Sequence, residues 1–226
     1  MGYEYNEYNS GRGGFLSSIP PVTKNIVAIN ILVFIATLIN ENFMVVNFAM
    51  FYPASPFFKP WQILTHMFMH GGFWHIFFNM YTLLMFGIIL ERALGSKKFL
   101  IFYFVTGLGA AALHTGVEWI QAQYFLSAGA AVNYHNLLMT PTLGASGAIY
   151  GVLIGYAMCY HDSRLTLLFP PVTLTAKWFV IIFAGIELFT GISGFQDGVA
   201  HFAHLGGMLF GWLLIRWWRK KGEFYY

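Results

Sequence analysis

The chain is short of charged residues and of cysteine. Only 9% of its 226 residues are Asp, Glu, Lys or Arg, whereas an average soluble domain carries about 25%. So few charges cannot cover a globular surface, which argues against a soluble enzyme, a disordered chain and a nucleic-acid-binding protein. The formal net charge of +3 does not indicate an acidic partner. The single cysteine, Cys159, cannot form an internal disulfide.

Apolar and aromatic side chains make up most of the sequence. Hydrophobic residues account for 58% of the chain and aromatic residues for 19%, with a mean hydropathy of +0.60. A membrane-spanning helix needs about 20 mostly apolar residues. We therefore expect an all-α, integral multi-pass membrane protein with six transmembrane helices embedded in the lipid bilayer. The six segments that meet or approach this requirement are Asn25–Ile39, Phe73–Leu90, Phe99–Val117, Ala145–Tyr160, Trp178–Ile192 and Phe202–Trp218.

The same pattern divides the chain into one helical domain and two short tails. Residues 1–20 are polar and glycine-rich and lack the basic and apolar regions of a signal peptide, so we expect a flexible cytoplasmic tail. Residues 21–220 form the predicted six-helix domain, and residues 221–226 a cytoplasmic C-terminal tail. Two connections, 41–61 and 120–142, contain helix-breaking residues but many apolar ones, which predicts loops lying in the membrane interface.

The basic residues predict the orientation in the membrane. Lys59 lies in the first interfacial connection, and every other Lys and Arg lies on the opposite side of the predicted helices. Because cytoplasmic loops carry an excess of Lys and Arg, both termini should be cytoplasmic. The two interfacial loops should then face outward.

Polar groups cluster at the outer ends of the second, fourth and sixth predicted helices. Ionisable or polar groups inside a membrane are costly and mark functional sites. These three helices run in the same direction, so we expect their polar groups to meet at one shallow site near the outer face. The residues concerned are His66, His70, His75, Asn79, Ser146, His201 and His204.

This set suits acyl transfer by a serine–histidine pair. Ser146, between Gly144 and Gly147, is a weak nucleophile until a histidine removes its proton. The resulting oxyanion needs preorganised donors, and His75 and Asn79, spaced i, i+4, share one helix face.

No carboxylate is clearly placed to orient the histidine. We assign Glu91 and Glu187 to other depths or helices. The one candidate is Asp197, four residues before His201, which we expect to lie in a solvated turn. The sequence therefore favours a dyad over a triad. Among the remaining groups, we expect His66 and His70 to be structural, and Glu91 with Arg92 to tie a helix end to its loop.

Small residues indicate which histidine meets the serine. Rows of glycine at positions 147, 151 and 155 and at positions 207 and 211 allow the fourth and sixth helices to approach closely. At 100° per residue, His204 lies within about 60° of Gly207 and about 20° of Gly211, whereas His201 is about 120° and 80° away. This predicts that His204 faces Ser146, and that Gly151 lies in the contact with the sixth helix.

Four sequence motifs in this order resemble those of the rhomboid intramembrane serine proteases. The resemblance covers the chain from about Trp61 to Trp218. The motifs are HMFMHGGFWHIFFNMYTLLMFG (66–87), ERALGS (91–96), GASGAIYG (144–151) and AHFAHLGGMLFG (200–211).

The resemblance implies a fold, an activity and residue roles. It implies a six-helix rhomboid-like bundle that cleaves transmembrane segments of membrane-protein substrates near the outer face, in a bacterial inner membrane, with no metal or cofactor. Ser146 would be the nucleophile and His204 the base. His75, Asn79 and the backbone N–H of Ser146 would form the oxyanion hole. Tyr150 would pack beneath the histidine, with Gly144 and Gly147 supporting the serine.

Two other functions stay open. Histidines on several helices could ligate haem or a metal, although such a role would leave Ser146 in its glycine setting unexplained. A rhomboid-like pseudoenzyme could instead bind membrane clients without cleaving them. The presence of both Ser146 and His204 argues against this second alternative.

Overall fold

A computed structural model describes residues 14–166, 171–193 and 200–224. Helices dominate, and a small antiparallel sheet pairs strand β1 (Arg164–Thr166) with strand β2 (Thr173–Thr175). A 3₁₀ turn, His66–Phe68, precedes α5, and a π-helical segment, Leu83–Gly87, joins α5 to α6. The helices are α1 (Phe15–Ser18), α2 (Pro21–Ile39), α3 (Glu41–Phe48), α4 (Gln62–Thr65), α5 (Phe73–Thr82), α6 (Ile88–Leu94), α7 (Ser96–Ser127), α8 (Ala131–Met139), α9 (Ser146–Cys159), α10 (Ala176–Ser193) and α11 (His201–Lys220).

Helices occupy all six segments in which the hydropathy predicts them. Within the described residues, four helical stretches are long and apolar enough to cross a membrane: α2, the continuous helix Phe73–Leu94, α7 and α10. The helix α9 is apolar but has only 14 residues, and α11 carries basic residues in its last turns. The fold is therefore that of a helical membrane protein, and six membrane crossings remain a prediction.

The helix α7, which contains the third predicted transmembrane segment, is longer than the sequence predicts. It continues from Ser96 to Ser127, so the expectation of a loop from Ile120 onward is wrong for its first residues. No glycine or proline lies between Glu118 and Ser127 to end the helix. At 1.5 Å per residue, 32 residues span about 48 Å, which exceeds a hydrocarbon core of about 30 Å.

Glycines allow α9 to pack closely at the centre of the bundle. A Cβ atom at Gly207 of α11 would overlap the backbone carbonyl of Gly147, and one at Gly211 would lie 3.2 Å from the carbonyl oxygen of Gly151. The predicted close approach of α9 and α11 is therefore confirmed. The α carbon of Gly151 itself, however, faces Thr106 of α7. The expectation that Gly151 lies in the α11 contact is correct only for its carbonyl group.

We expect Gly207→Ala to destabilise the protein strongly. The new methyl group would meet backbone, which cannot rotate away as a side chain can, and overpacking of this kind typically costs about 1–3 kcal/mol. Gly185→Ala on α10 is the matched control, because no described atom lies within 4 Å of its Cβ position and alanine favours helix by about 1 kcal/mol. Thermal unfolding in detergent should show a lower Tm for Gly207→Ala only. Equal Tm values would contradict the close contact.

The end of the bundle away from Ser146 is held by a buried carboxylate. Glu91, 1% exposed, accepts hydrogen bonds from the backbone N–H groups of Val22 and Thr23 at 3.0 and 2.7 Å. The hydroxyls of Thr23 and Ser96 also donate to it, both at 2.7 Å. Since the first N–H groups of a helix have no partner within the helix, Glu91 satisfies the start of α2. The predicted structural role of this carboxylate is confirmed.

Candidate active site

The segment before Ser146 is fixed by contacts with distant parts of the chain. Met50 and Thr142 pair as an isolated antiparallel bridge, with backbone N–O distances of 2.9 and 2.7 Å. The Thr142 hydroxyl lies 3.0 Å from Nε2 of His114 on α7. The two connections predicted to lie in the interface are therefore bonded to each other, and together they hold the start of α9 in place.

Gly144 completes this support. Its backbone N–H donates to the carbonyl oxygen of His66 at 3.0 Å. Its φ of +135° lies in a region that favours glycine, and a Cβ atom there would approach Nε2 of His75 to 2.9 Å. Glycine is thus required at this position by the backbone conformation and by the neighbouring imidazole.

His66 belongs to this support, and His70 packs against His75. Nδ1 of His66 lies 2.9 Å from the carbonyl oxygen of Gln62, and burial lowers the pKa of His66 to about 4. Burial, together with the neighbouring His75, lowers the pKa of His70 to about 3, and its ring centroid lies 5.0 Å from that of His75. Both side chains are therefore uncharged at neutral pH.

Ser146 and His204 are brought together at the start of α9. The distance between Ser146 Oγ and His204 Nε2 is 2.8 Å, within hydrogen-bonding range. The ring of Tyr150, one turn after the serine, stacks on the imidazole of His204 with centroids 4.1 Å apart and planes 5° apart. Ser146 is half-buried and His204 is 7% exposed. The packing angle of α11 therefore correctly predicts which histidine faces the serine.

Of the expected oxyanion donors, His75 lies beside this pair. Nε2 of His75 and Oγ of Ser146 both lie within 3.5 Å of the Cβ position of Gly144. Nδ2 of Asn79, one turn further along the helix, donates to the His75 carbonyl oxygen at 2.9 Å. An amide has two N–H hydrogens, so this bond occupies only one of them.

A small cavity opens beside the serine. Small side chains form most of its wall, so the space next to Oγ stays open between α7, α9 and the start of α11. A methyl group at Gly147 would overlap the Ala110 side chain, which explains why glycine follows the serine. The cavity wall includes Gly107, Ala110, Thr142, Gly144, Ser146 and Ala203.

A carboxylate that the sequence did not assign to the site, Glu187, lies next to the serine–histidine pair in the structure. Glu187 of α10 is 6% exposed, and its Oε1 lies 3.0 Å from Nδ1 of His204. Its Oε2 accepts a hydrogen bond from Nδ1 of His201 at 2.7 Å. The expectation that Glu187 lies away from the site is wrong, because its two carboxylate oxygens contact His204 and His201. Asp197, the other carboxylate considered, lies outside the described residues.

One feature of the sequence does indicate a role for Glu187, because it is a single ionisable residue in an apolar helix. Such residues are expected to face the bundle interior and to have a partner. Glu187 is the one charged residue between Lys177 and the end of α10. What the sequence could not supply was the rotation of α10 relative to α11.

Taken together, the fold and the site define a helical integral membrane protein with a serine–histidine pair enclosed among its helices. The family model described as the Rhomboid domain matches residues 57–221, and the chain belongs to the rhomboid family.

Several curated proteins are similar to this chain. Rhomboid protease AarA of Providencia stuartii is 29% identical over 158 residues, which cover 68% of this chain and 54% of that protein. RHOMBOID-like protein 4 of Arabidopsis thaliana is 31% identical over 161 residues, covering 68% and 33%. Rhomboid-like protease 3 of Toxoplasma gondii is 26% identical over 193 residues, covering 81% and 61%. The chain spans less than two thirds of the length of each of these curated relatives.

Proposed function

We propose that the protein is an intramembrane serine endopeptidase that cleaves transmembrane segments of membrane-protein substrates near the outer face of the membrane. The observation that carries this proposal is the 2.8 Å contact between Ser146 Oγ and His204 Nε2 inside a helical membrane bundle. Two similar proteins have the word protease in their names, which supports the same activity.

In the first half of the reaction, Ser146 forms a covalent bond with the substrate. Its Oγ attacks the carbonyl carbon of the scissile peptide bond while Nε2 of His204 takes the hydroxyl proton. The tetrahedral intermediate then collapses, the C–N bond breaks, and His204 returns the proton to the leaving amine. The products of this half are a new N-terminus and an ester of Ser146.

Water completes the reaction. His204 removes a proton from a water molecule, whose oxygen attacks the ester carbonyl carbon. When the second tetrahedral intermediate collapses, the C–O bond to Ser146 breaks and His204 returns the proton to Oγ. The substrate leaves with a new carboxyl terminus, and the enzyme is restored.

Both tetrahedral intermediates carry a negative oxygen that needs hydrogen-bond donors. We assign this role to the backbone N–H of Ser146, to His75 and to the second N–H of Asn79. The proximity of His75 to Ser146 at Gly144 supports the assignment. Donors already in place act without reorganisation when the charge forms.

Membrane physics constrains how a substrate can reach the site. A continuous helix hides its carbonyl groups in hydrogen bonds, so a substrate helix must unwind locally before Ser146 can reach it. We assign six membrane crossings, with α9 and α11 completing the four longer ones. An even number of crossings places both termini on one side, and the excess of Lys and Arg assigns that side to the cytoplasm. We place the protein in a bacterial inner membrane, with Ser146 toward the outer face.

A fluorophosphonate probe tests the assignment of the nucleophile. The probe phosphonylates a serine that a base activates, so wild-type protein in detergent should be labelled and Ser146→Ala should not. Ser163→Ala is the matched control, because this serine accepts a hydrogen bond from Tyr156 at 2.9 Å and has no bond to His204 in the described residues. It should be labelled like the wild type. Equal labelling of Ser146→Ala would overturn the assignment.

A further inference from the structure

We infer that Glu187 is a positioning residue that orients His204, so that the site works as a three-residue array instead of a dyad. The inference rests on the proposed protease function and names a further residue for the same reaction. It concerns a carboxylate that acts through the histidine and does not touch the substrate.

The first argument is the position of the carboxylate behind the imidazole. His204 presents Nε2 to Ser146 at 2.8 Å and Nδ1 to Glu187 Oε1 at 3.0 Å. Nδ1 is buried, and within the described residues no group forms an aligned hydrogen bond with it. The contact is therefore a close electrostatic one. Catalytic hydrogen bonds often tighten when substrate binds.

The second argument is that the carboxylate is itself held from two sides. The hydroxyl of Tyr150 on α9 donates to Oε1, and Nδ1 of His201 on α11 donates to Oε2 at 2.7 Å. The hydroxyl of Thr190, one turn along α10, lies 3.0 Å from the same His201 nitrogen. Groups on three helices thus fix a charge that would be costly to bury without partners.

The third argument is chemical. A negative charge beside Nδ1 favours the tautomer in which Nδ1 carries the hydrogen. Nε2 then has a free lone pair, which can accept the proton of Ser146. The same charge stabilises the imidazolium that forms when the proton is transferred. Because both side chains are buried, this attraction is stronger than in bulk solvent.

The competing explanation is that Glu187 only holds α9, α10 and α11 together. Glu91 provides a direct comparison, because it is also a buried carboxylate and has four donors at the other end of the bundle. It lies 16 residues from His75, about 24 Å along a helix axis. A purely structural carboxylate should behave like Glu91.

The test compares Glu187→Gln with Glu91→Gln in the full chain. Each variant replaces a carboxylate with a neutral group of the same shape. Tm, kcat and KM should be measured on detergent-purified protein with a labelled transmembrane substrate, with rates expressed per folded molecule. We expect Glu187→Gln to lower kcat by about 10²-fold while KM changes less than about 3-fold, since the lost interaction is made mainly in the transition state. Glu91→Gln should lower Tm and leave kcat per folded molecule near the wild-type value.

If Glu187→Gln lowers only Tm, like Glu91→Gln, the inference is overturned and the carboxylate is a structural brace. Should Glu187→Gln fail to fold, Tyr150→Phe gives the answer, because it keeps the ring stacked on His204 and removes the hydroxyl that holds Oε1. We expect a several-fold loss of kcat at unchanged KM, and an unchanged kcat would contradict the inference. The wild type and Ser146→Ala, assayed alongside, separate the two proposals. If they behave alike, the protease function fails, whatever the result for Glu187.

Discussion

His204→Ala is expected to abolish cleavage of a transmembrane substrate. A positioned general base contributes up to about 10⁴-fold to the rate, and alanine removes the one hydrogen-bond partner that the Ser146 hydroxyl has among the described residues. The loss should appear in kcat. Labelling of Ser146 by a fluorophosphonate should fall in parallel, because the serine is no longer activated.

His201→Ala is the informative comparison for this prediction. His201 lies one turn away on the same helix and bonds to Glu187 instead of Ser146. Its loss should leave the contact between Ser146 and His204 in place, and measurable activity should remain. If His201→Ala were inactive and His204→Ala active, the assignment of the base would be wrong.

The second large effect concerns the oxyanion. Loss of one oxyanion donor typically costs about 10²–10³ in kcat, and we expect losses of this size for His75→Ala and Asn79→Ala. KM should change little, because the bonds form mainly in the transition state. Of the two, Asn79→Ala should also lower Tm, because its amide bonds the His75 carbonyl oxygen within α5.

For these variants, a loss of kcat must be distinguished from a loss of folded protein. The concentration of active sites should be titrated with the probe, and kcat expressed per reactive molecule. Phe78→Ala on the same helix is a suitable control, because its side chain is 60% exposed and lies outside the site. If His75→Ala and Asn79→Ala lost stability but kept wild-type kcat per reactive molecule, both residues would only brace the neighbouring segment.

Hydropathy and helical spacing predict much of this architecture. The positions of the helices follow from the apolar segments, and the pairing of His204 with Ser146 follows from the 100° rotation per residue relative to Gly207 and Gly211. Both arguments depend only on neighbours within one helix or on small residues that mark a contact.

The features that the sequence did not predict depend on how one helix is rotated against another. Gly151 marks a close contact, but its sequence position cannot say whether α7 or α11 faces it. The same limit applies to Glu187. A carboxylate in an apolar helix is expected to face the interior of the bundle, but the sequence does not show which group it contacts there. The length of α7 was missed for a different reason. Polar residues after Glu118 weaken the hydropathy signal but do not interrupt a helix.

The most direct test of the proposed function is cleavage of a labelled single-span substrate in reconstituted vesicles. Wild-type protein should release two fragments cut near the outer end of the substrate helix, and Ser146→Ala should release none at equal folded concentration. Mass spectrometry of the fragments would locate the cut. Uncut substrate with the folded wild type, or equal cleavage by Ser146→Ala, would contradict the proposal that this serine and His204 form an intramembrane protease site.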